Sequence, residues 1–151
     1  MITNTLKELF KKNLEQLKNE IELYHHEANL WRVDGQIKNS AGNLCLHLMG
    51  NLKAYIGVGL AKTNYIRQRD LEFSLKNIPG KDLCTQIDET IQIIEDGLNN
   101  LTSDQLQETF PIKIWEKPTS IENTLVLLAT HLNYHLGQIN YHRRIIDDEN
   151  K

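Results

Sequence analysis

Apolar residues recur at steps of three and four over four long stretches of the chain. In the first, from about Asn4 to Ala28, the residues Leu6, Leu9, Phe10, Leu14, Leu17, Ile21, Tyr24 and Ala28 form one stripe on a charged surface. That is the pattern of an amphipathic helix. The second begins near Ser40, a favoured N-cap residue, and runs to about Leu60. Leu44, His47, Leu48, Asn51, Leu52 and Tyr55 share its inward side, while Leu46, Met49, Ile56 and Val58 widen the apolar surface. This helix is therefore expected to be largely buried. Its glycines, Gly42, Gly50, Gly57 and Gly59, each cost a helix interior ~1 kcal/mol against alanine. Close approach of a neighbouring helix is the expected reason for them. The third stretch spans about Asp82 to Leu101 on Leu83, Ile87, Ile91, Ile94, Leu98 and Leu101. The fourth opens at Pro118-Thr119-Ser120, where Thr119 and Glu122 have the spacing of a capping box, and ends near Ile146. Its inward face reads Ile121, Leu125, Leu128, His131, Leu132, His135, Ile139 and His142.

Between the second and third stretches lies a long connection, roughly Ala61 to Pro79. At ~3.3 Å per extended residue it can cross the length of a helical bundle. Thr102-Ser103-Asp104-Gln105-Leu106 reads as a short helical turn. Phe110, Ile112 and Ile114 alternate with Pro111, Lys113 and Trp115, which suggests one short extended segment, an edge at best because of Pro111. The polar tail Asp147 to Lys151 is expected to fray. Four amphipathic helices of ~20 residues, with no strand-rich region, give an all-α four-helix bundle with long second-to-third and third-to-fourth connections. The second and fourth helices carry polar residues on their inward faces, so they are expected to be neighbours.

Composition keeps this picture and narrows the function. The 151 residues are 40% hydrophobic and 25% charged, ordinary values for one globular domain. A net charge of -3 argues against a nucleic-acid partner, and Lys11-Lys12 and Arg143-Arg144 are too short to be more than solvated pairs. No leader pattern opens the chain, and no apolar run approaches the ~20 residues of a membrane span. Cys45 and Cys84 are far apart in sequence and fit buried, reduced thiols of a cytoplasmic protein better than a disulfide.

The chemistry lies in the histidines. His131 and His135 stand at i and i+4, on one face and about one helical turn apart. His47 sits on the inward side of the other strongly apolar helix. Neutral imidazole binds zinc, nickel, copper and iron, so three of them make a candidate metal site. The alternative is a polar bundle core in which His131 and His135 hydrogen-bond to Asn51 and Gln138. Asn51, Tyr55 and Gln138 are the candidates to orient an imidazole through its other nitrogen. His142 lies two turns past His135, too far to share one ion, and the adjacent pair His25-His26 falls near a helix end; surface or structural roles are expected for both. The glutamate of a His-Glu-x-x-His metalloprotease is missing, since Leu132 follows His131. There is no Glu-x-x-His pair of the di-iron kind, no phosphate loop and no Gly-x-Ser-x-Gly elbow. No Asp or Glu falls on the inward faces near the histidines, so no general base is expected. Three neutral ligands leave a metal its full charge and open positions, which suits acidifying a water or a substrate thiol.

Asn43-Leu44-Cys45-Leu46-His47-Leu48-Met49-Gly50-Asn51-Leu52 resembles the second-helix motif of the DinB-like superfamily. The stretch from His131 to Arg144 resembles its fourth-helix motif, and Tyr65 to Phe73 is similar to a feature of one uncharacterised bacterial subgroup. The resemblance covers nearly the whole chain. It implies a four-helix bundle holding a divalent metal, zinc or nickel, through His47, His131 and His135. It also implies metal-dependent chemistry with low-molecular-weight thiols, as in bacillithiol-type S-transferases and a mycothiol-dependent isomerase, and a homodimer. Arg67 and Arg69 are placed to lie over the pocket mouth and bind a carboxylate-bearing thiol, or else to pair with Asp70 or Glu72. Three readings stay open: a metal-dependent thiol transferase or hydrolase, a non-catalytic metal-binding or stress-response bundle, and a bundle whose site no longer binds.

Overall fold

The computed structural model describes residues 1–148. Fraying expected at 149–151 lies outside the described residues. Six α-helices follow one another, four of them long: α1 (Ile2–Glu22), α2 (Ala41–Leu52), α3 (Arg69–Ser74), α4 (Gly80–Leu98), α5 (Ser103–Leu106) and α6 (Ile121–Ile146). α1 packs against α4 and α6, and α2 packs against the same two helices. The long helices thus stand at four corners, with α1 diagonal to α2 and α4 diagonal to α6. This is the expected bundle, and α2 and α6 are neighbours as their inward polar residues required.

The core is one cluster running through all four corners. Phe10, Leu14 and Leu17 of α1, Leu48, Met49 and Leu52 of α2, and Leu83, Ile87 and Ile94 of α4 are among its fully buried members. Every residue of α2 is buried. Side chains fill the space left by its glycines, rather than a neighbouring helix backbone. At Gly42 the Trp31 ring lies where a Cβ would be, and at Gly50 the Glu72 carboxylate does.

Several boundaries differ from the sequence expectation, each for a physical reason. α1 stops at Glu22, not Ala28, because the backbone N–H groups of His25 and His26 donate to the Asp147 carboxylate instead of to helical carbonyls. Asn29 Nδ2 donates to the same carboxylate at 2.8 Å, so Asp147 is a buried clasp and not part of a loose tail. A 3₁₀ turn, Glu27–Trp31, follows. α2 starts under the Ser40 cap as expected, its hydroxyl accepting from Asn43 N–H at 3.2 Å. Past Leu52 the helix widens into a π-helical segment, Lys53–Val58, a form common near functional sites. The cap of α6 is Ser120, accepting from Asn123 N–H, one position beyond the Thr119 expected. The segment at 110–115 forms no strand among the described residues; Phe110 N–H donates to Thr119 O at 2.9 Å and closes a loop. Thr102 and Gln105 do form a capping box at the start of α5.

Arg143, expected to be solvated, is engaged. Arg143 Nε donates at 2.7 Å to Glu20, whose side chain is buried between α1 and α6. No described helix is long and apolar enough to cross a membrane. Both cysteines are free and buried, as expected.

Candidate metal centre

α2 and α6 bring His47, His131 and His135 to one point. His131 Nε2 lies 3.3 Å from His47 Nε2 and 3.1 Å from His135 Nε2. His47 is buried, and the two α6 histidines are half-buried. Tetrahedral zinc with Zn–N bonds of about 2.0–2.1 Å holds two nitrogens roughly 3.3–3.4 Å apart. The two spacings to His131 lie close to that requirement, and the three ligand atoms all lie within 4.8 Å of one another.

The outer nitrogens decide what the inner ones offer. His47 Nδ1 lies 3.1 Å from Glu72 Oε1, which can only accept, and 3.4 Å from Arg67 Nη2, which can only donate; the shorter contact, to the carboxylate, assigns the proton to Nδ1. His135 Nδ1 donates to Gln138 Oε1 at 2.7 Å. Both rings therefore turn an Nε2 lone pair toward His131. The His131 Nδ1 is buried without a partner among the described residues. If His131 carries its proton there, three lone pairs face one another. If it carries the proton on Nε2, its one N–H faces two lone pairs, and its Nδ1 acceptor goes unmet. Neither tautomer satisfies the cluster from within, whereas one cation at the centre satisfies all three lone pairs. The donor set fits a divalent metal such as zinc or nickel.

Electrostatics favours the neutral form of the His131 and His47 rings. Burial pushes the His131 imidazole down to about 4, helped by the neighbouring His135 and His47. Burial also lowers His47, against the opposing pull of Glu72. Protons thus compete weakly for the nitrogens a metal needs.

Of the residues singled out to orient an imidazole, Gln138 contacts one, at His135 Nδ1. Asn51 is buried with Oδ1 unpaired and bonds to no histidine among the described residues. Tyr55 lies in the π-helical segment and meets the Arg67 guanidinium, 5.7 Å above its ring, rather than His47. His142 is structural: its Nε2–H donates to Arg32 O at 2.8 Å, and its Nδ1 accepts from Tyr24 OH at 2.6 Å.

No Asp or Glu on the inward helix faces was expected near the histidines, but one from the connection, Glu72, reaches His47. It arrives on α3, within the long α2–α4 connection, and is only 6% exposed. Arg67 forks onto it, with Nε 2.9 Å from Oε2 and Nη2 3.0 Å from Oε1. Arg67 therefore pairs with Glu72, the second of the two roles open to it. Arg69 stacks over the Phe73 ring at 5.4 Å, and that ring lies against His47 at 5.0 Å. Asn43 Nδ2 fixes the end of α3 by donating to Glu72 O and Leu75 O, each at 2.9 Å.

Residues 2–151 match the family model described as protein of unknown function (DUF1572). The chain belongs to the DUF1572 family. No curated protein matches it in sequence. This DUF1572 chain is similar in fold to a conserved protein of Enterococcus faecalis known from a crystal structure. The TM-score is 0.74 with 16% sequence identity, and 97% of each chain is covered. At that identity the likeness speaks for the fold alone.

Proposed function

We propose that this protein holds a divalent metal ion, zinc or nickel, on His47, His131 and His135, and that the centre serves thiol- or water-dependent chemistry of the S-transferase or hydrolase kind. The observation that carries the reading is the convergence of three Nε2 atoms at 3.1 and 3.3 Å, with two of the rings held by acceptors on Nδ1. The resemblance of the α2 and α6 motifs to the DinB-like superfamily supports the same ligand set and a low-molecular-weight thiol as co-substrate. When bound, the ion supplies Lewis-acid chemistry, making a thiol or water more acidic. The chain's own part is to present three nitrogens to one point and to hold two of the rings, His47 and His135, in one orientation through Glu72 and Gln138.

One observation favours a second reading, a metal-holding protein without turnover. Both Glu72 oxygens are already engaged by Arg67 and His47, so the carboxylate nearest the site is not free to move a proton.

Metal analysis of the tag-free protein should find about one ion per chain, and His135→Ala should remove it. A wild-type chain without stoichiometric metal, or a His135→Ala chain that keeps it, rejects the ligand set. Metal-loaded protein incubated with a small thiol and a model electrophile should turn over faster than the metal-free control. Equal rates with metal bound would leave the non-catalytic reading standing.

A further inference from the structure

Glu72 is a buried acid in a segment whose sequence has no helical period, and its surroundings are built for it. Its Oε1 accepts from His47 Nδ1 at 3.1 Å and from Arg67 Nη2 at 3.0 Å, and its Oε2 accepts from Arg67 Nε at 2.9 Å. Burying a carboxylate is costly unless it is paired and hydrogen-bonded, and these contacts meet that condition. Gly50, three residues past His47 on α2, leaves the room: a Cβ there would overlap the Glu72 carboxylate. Asn43, four residues before His47, holds the backbone of the same segment through Glu72 O and Leu75 O. One face of α2 thus both carries a ligand and receives the crossover.

We propose that Glu72 is a positioning residue of the metal centre, fixing His47 as the Nδ1–H tautomer, and that through this contact metal occupancy and docking of the 67–75 segment are coupled. The inference rests on the metal-binding reading given above. With Nδ1–H held by a carboxylate, His47 Nε2 is left as a lone pair aimed at the other two imidazoles. A carboxylate partner also makes the imidazole a better donor to a cation, and loss of such a partner typically weakens metal binding about 10–100-fold. Linkage makes the effect mutual. Whatever factor the docked Glu72 adds to metal affinity, the bound metal adds to the docking of Glu72 and the chain around it. Arg67 lies inside that segment, so it moves with the carboxylate it neutralises.

The test uses the full-length tag-free chain with zinc and with cobalt as a coloured probe. Affinity is read by competition with a chromophoric chelator, and the visible cobalt bands report the ligand field. Trypsin cleavage after Arg67, Arg69 and Lys76 reads docking, with and without metal. Glu72→Gln is expected to weaken zinc binding about 10–100-fold and to shift the cobalt bands. Wild type should gain protection from trypsin on metal addition, and Glu72→Gln should lose most of that gain. Gly50→Ala keeps the acid but removes its space, touches no ligand, and should weaken binding in the same direction. It serves as the second variant should Glu72→Gln fail to fold. Wild-type affinity and unshifted cobalt bands in a folded variant overturn the positioning role, and equal cleavage with and without metal overturns the coupling. A wild-type chain that takes up no metal overturns this inference together with the reading beneath it.

Discussion

His131 and His142 are both imidazoles on the inward face of α6, and only His142 has both nitrogens satisfied. Spacing sets His142 apart, two turns past His135, but does not say what holds it. The difference comes from Tyr24 and Arg32, which reach His142 from just past the end of α1, the adjacent corner, and from the end of the 3₁₀ turn that follows it. The three-histidine cluster was legible because its signal is local: two stand one helical turn apart, and the third lies on an inward face. Glu72 was not legible, because Arg67 and Glu72 are five residues apart in a connection without period and only docking on α2 brings them to His47. His142 carries a pH prediction. Burial holds its imidazole below the usual range, against the raising effect of the Arg32 carbonyl. The unfolded chain therefore takes up this proton first as pH falls, so the contribution is whole above the ordinary value near 6.5 and shrinks below it. Urea midpoints of the metal-free protein should fall from pH 7.5 to pH 5.5. His142→Gln, though less stable throughout, should show a shallower fall; an unchanged slope would assign the dependence to other groups. The Glu20–Arg143 pair gives a second expectation. Arg143→Gln leaves the buried Glu20 carboxylate with Asn140 alone and should lower stability in urea unfolding, by at most the about 3–5 kcal/mol of a broken buried pair.

At the scale of elements, helix existence followed from the three-and-four period, and helix ends did not. α1 is shorter than its apolar stripe because Asp147, more than a hundred residues on, takes the N–H groups of His25 and His26. No local pattern contains that contact. The π-helical turn after α2 escapes for a similar reason, since one extra residue per turn leaves the composition unchanged. The Ser40 cap was legible because capping is local chemistry. Its hydroxyl is fully buried, donates to Asn43 Oδ1 at 2.7 Å and accepts from Asn43 N–H. Ser40→Ala should lower stability by about 1–2 kcal/mol, the upper part of the range for lost caps. Because Asn43 also ties down the end of α3, the same variant should speed tryptic cleavage at Lys76.

For the whole molecule, the candidate ligands come from two adjacent corners, so an ion on them would brace α2 against α6. Anything bound only by the folded state stabilises it by mass action, about 2.7 kcal/mol at a hundredfold excess over Kd. Melting temperature should therefore rise with added zinc, and the rise should vanish in His135→Ala. The same packing makes Cys45 a clock. Its side chain is fully enclosed on α2, and burial pushes the thiol up to about 12, so it is neither reachable nor ionised in the closed bundle. A thiol-directed dye can label it only in molecules whose α2 has come away from the other corners. The labelling rate then counts how often the bundle breathes, and its slowing by zinc would time the hold that the ion has on the fold.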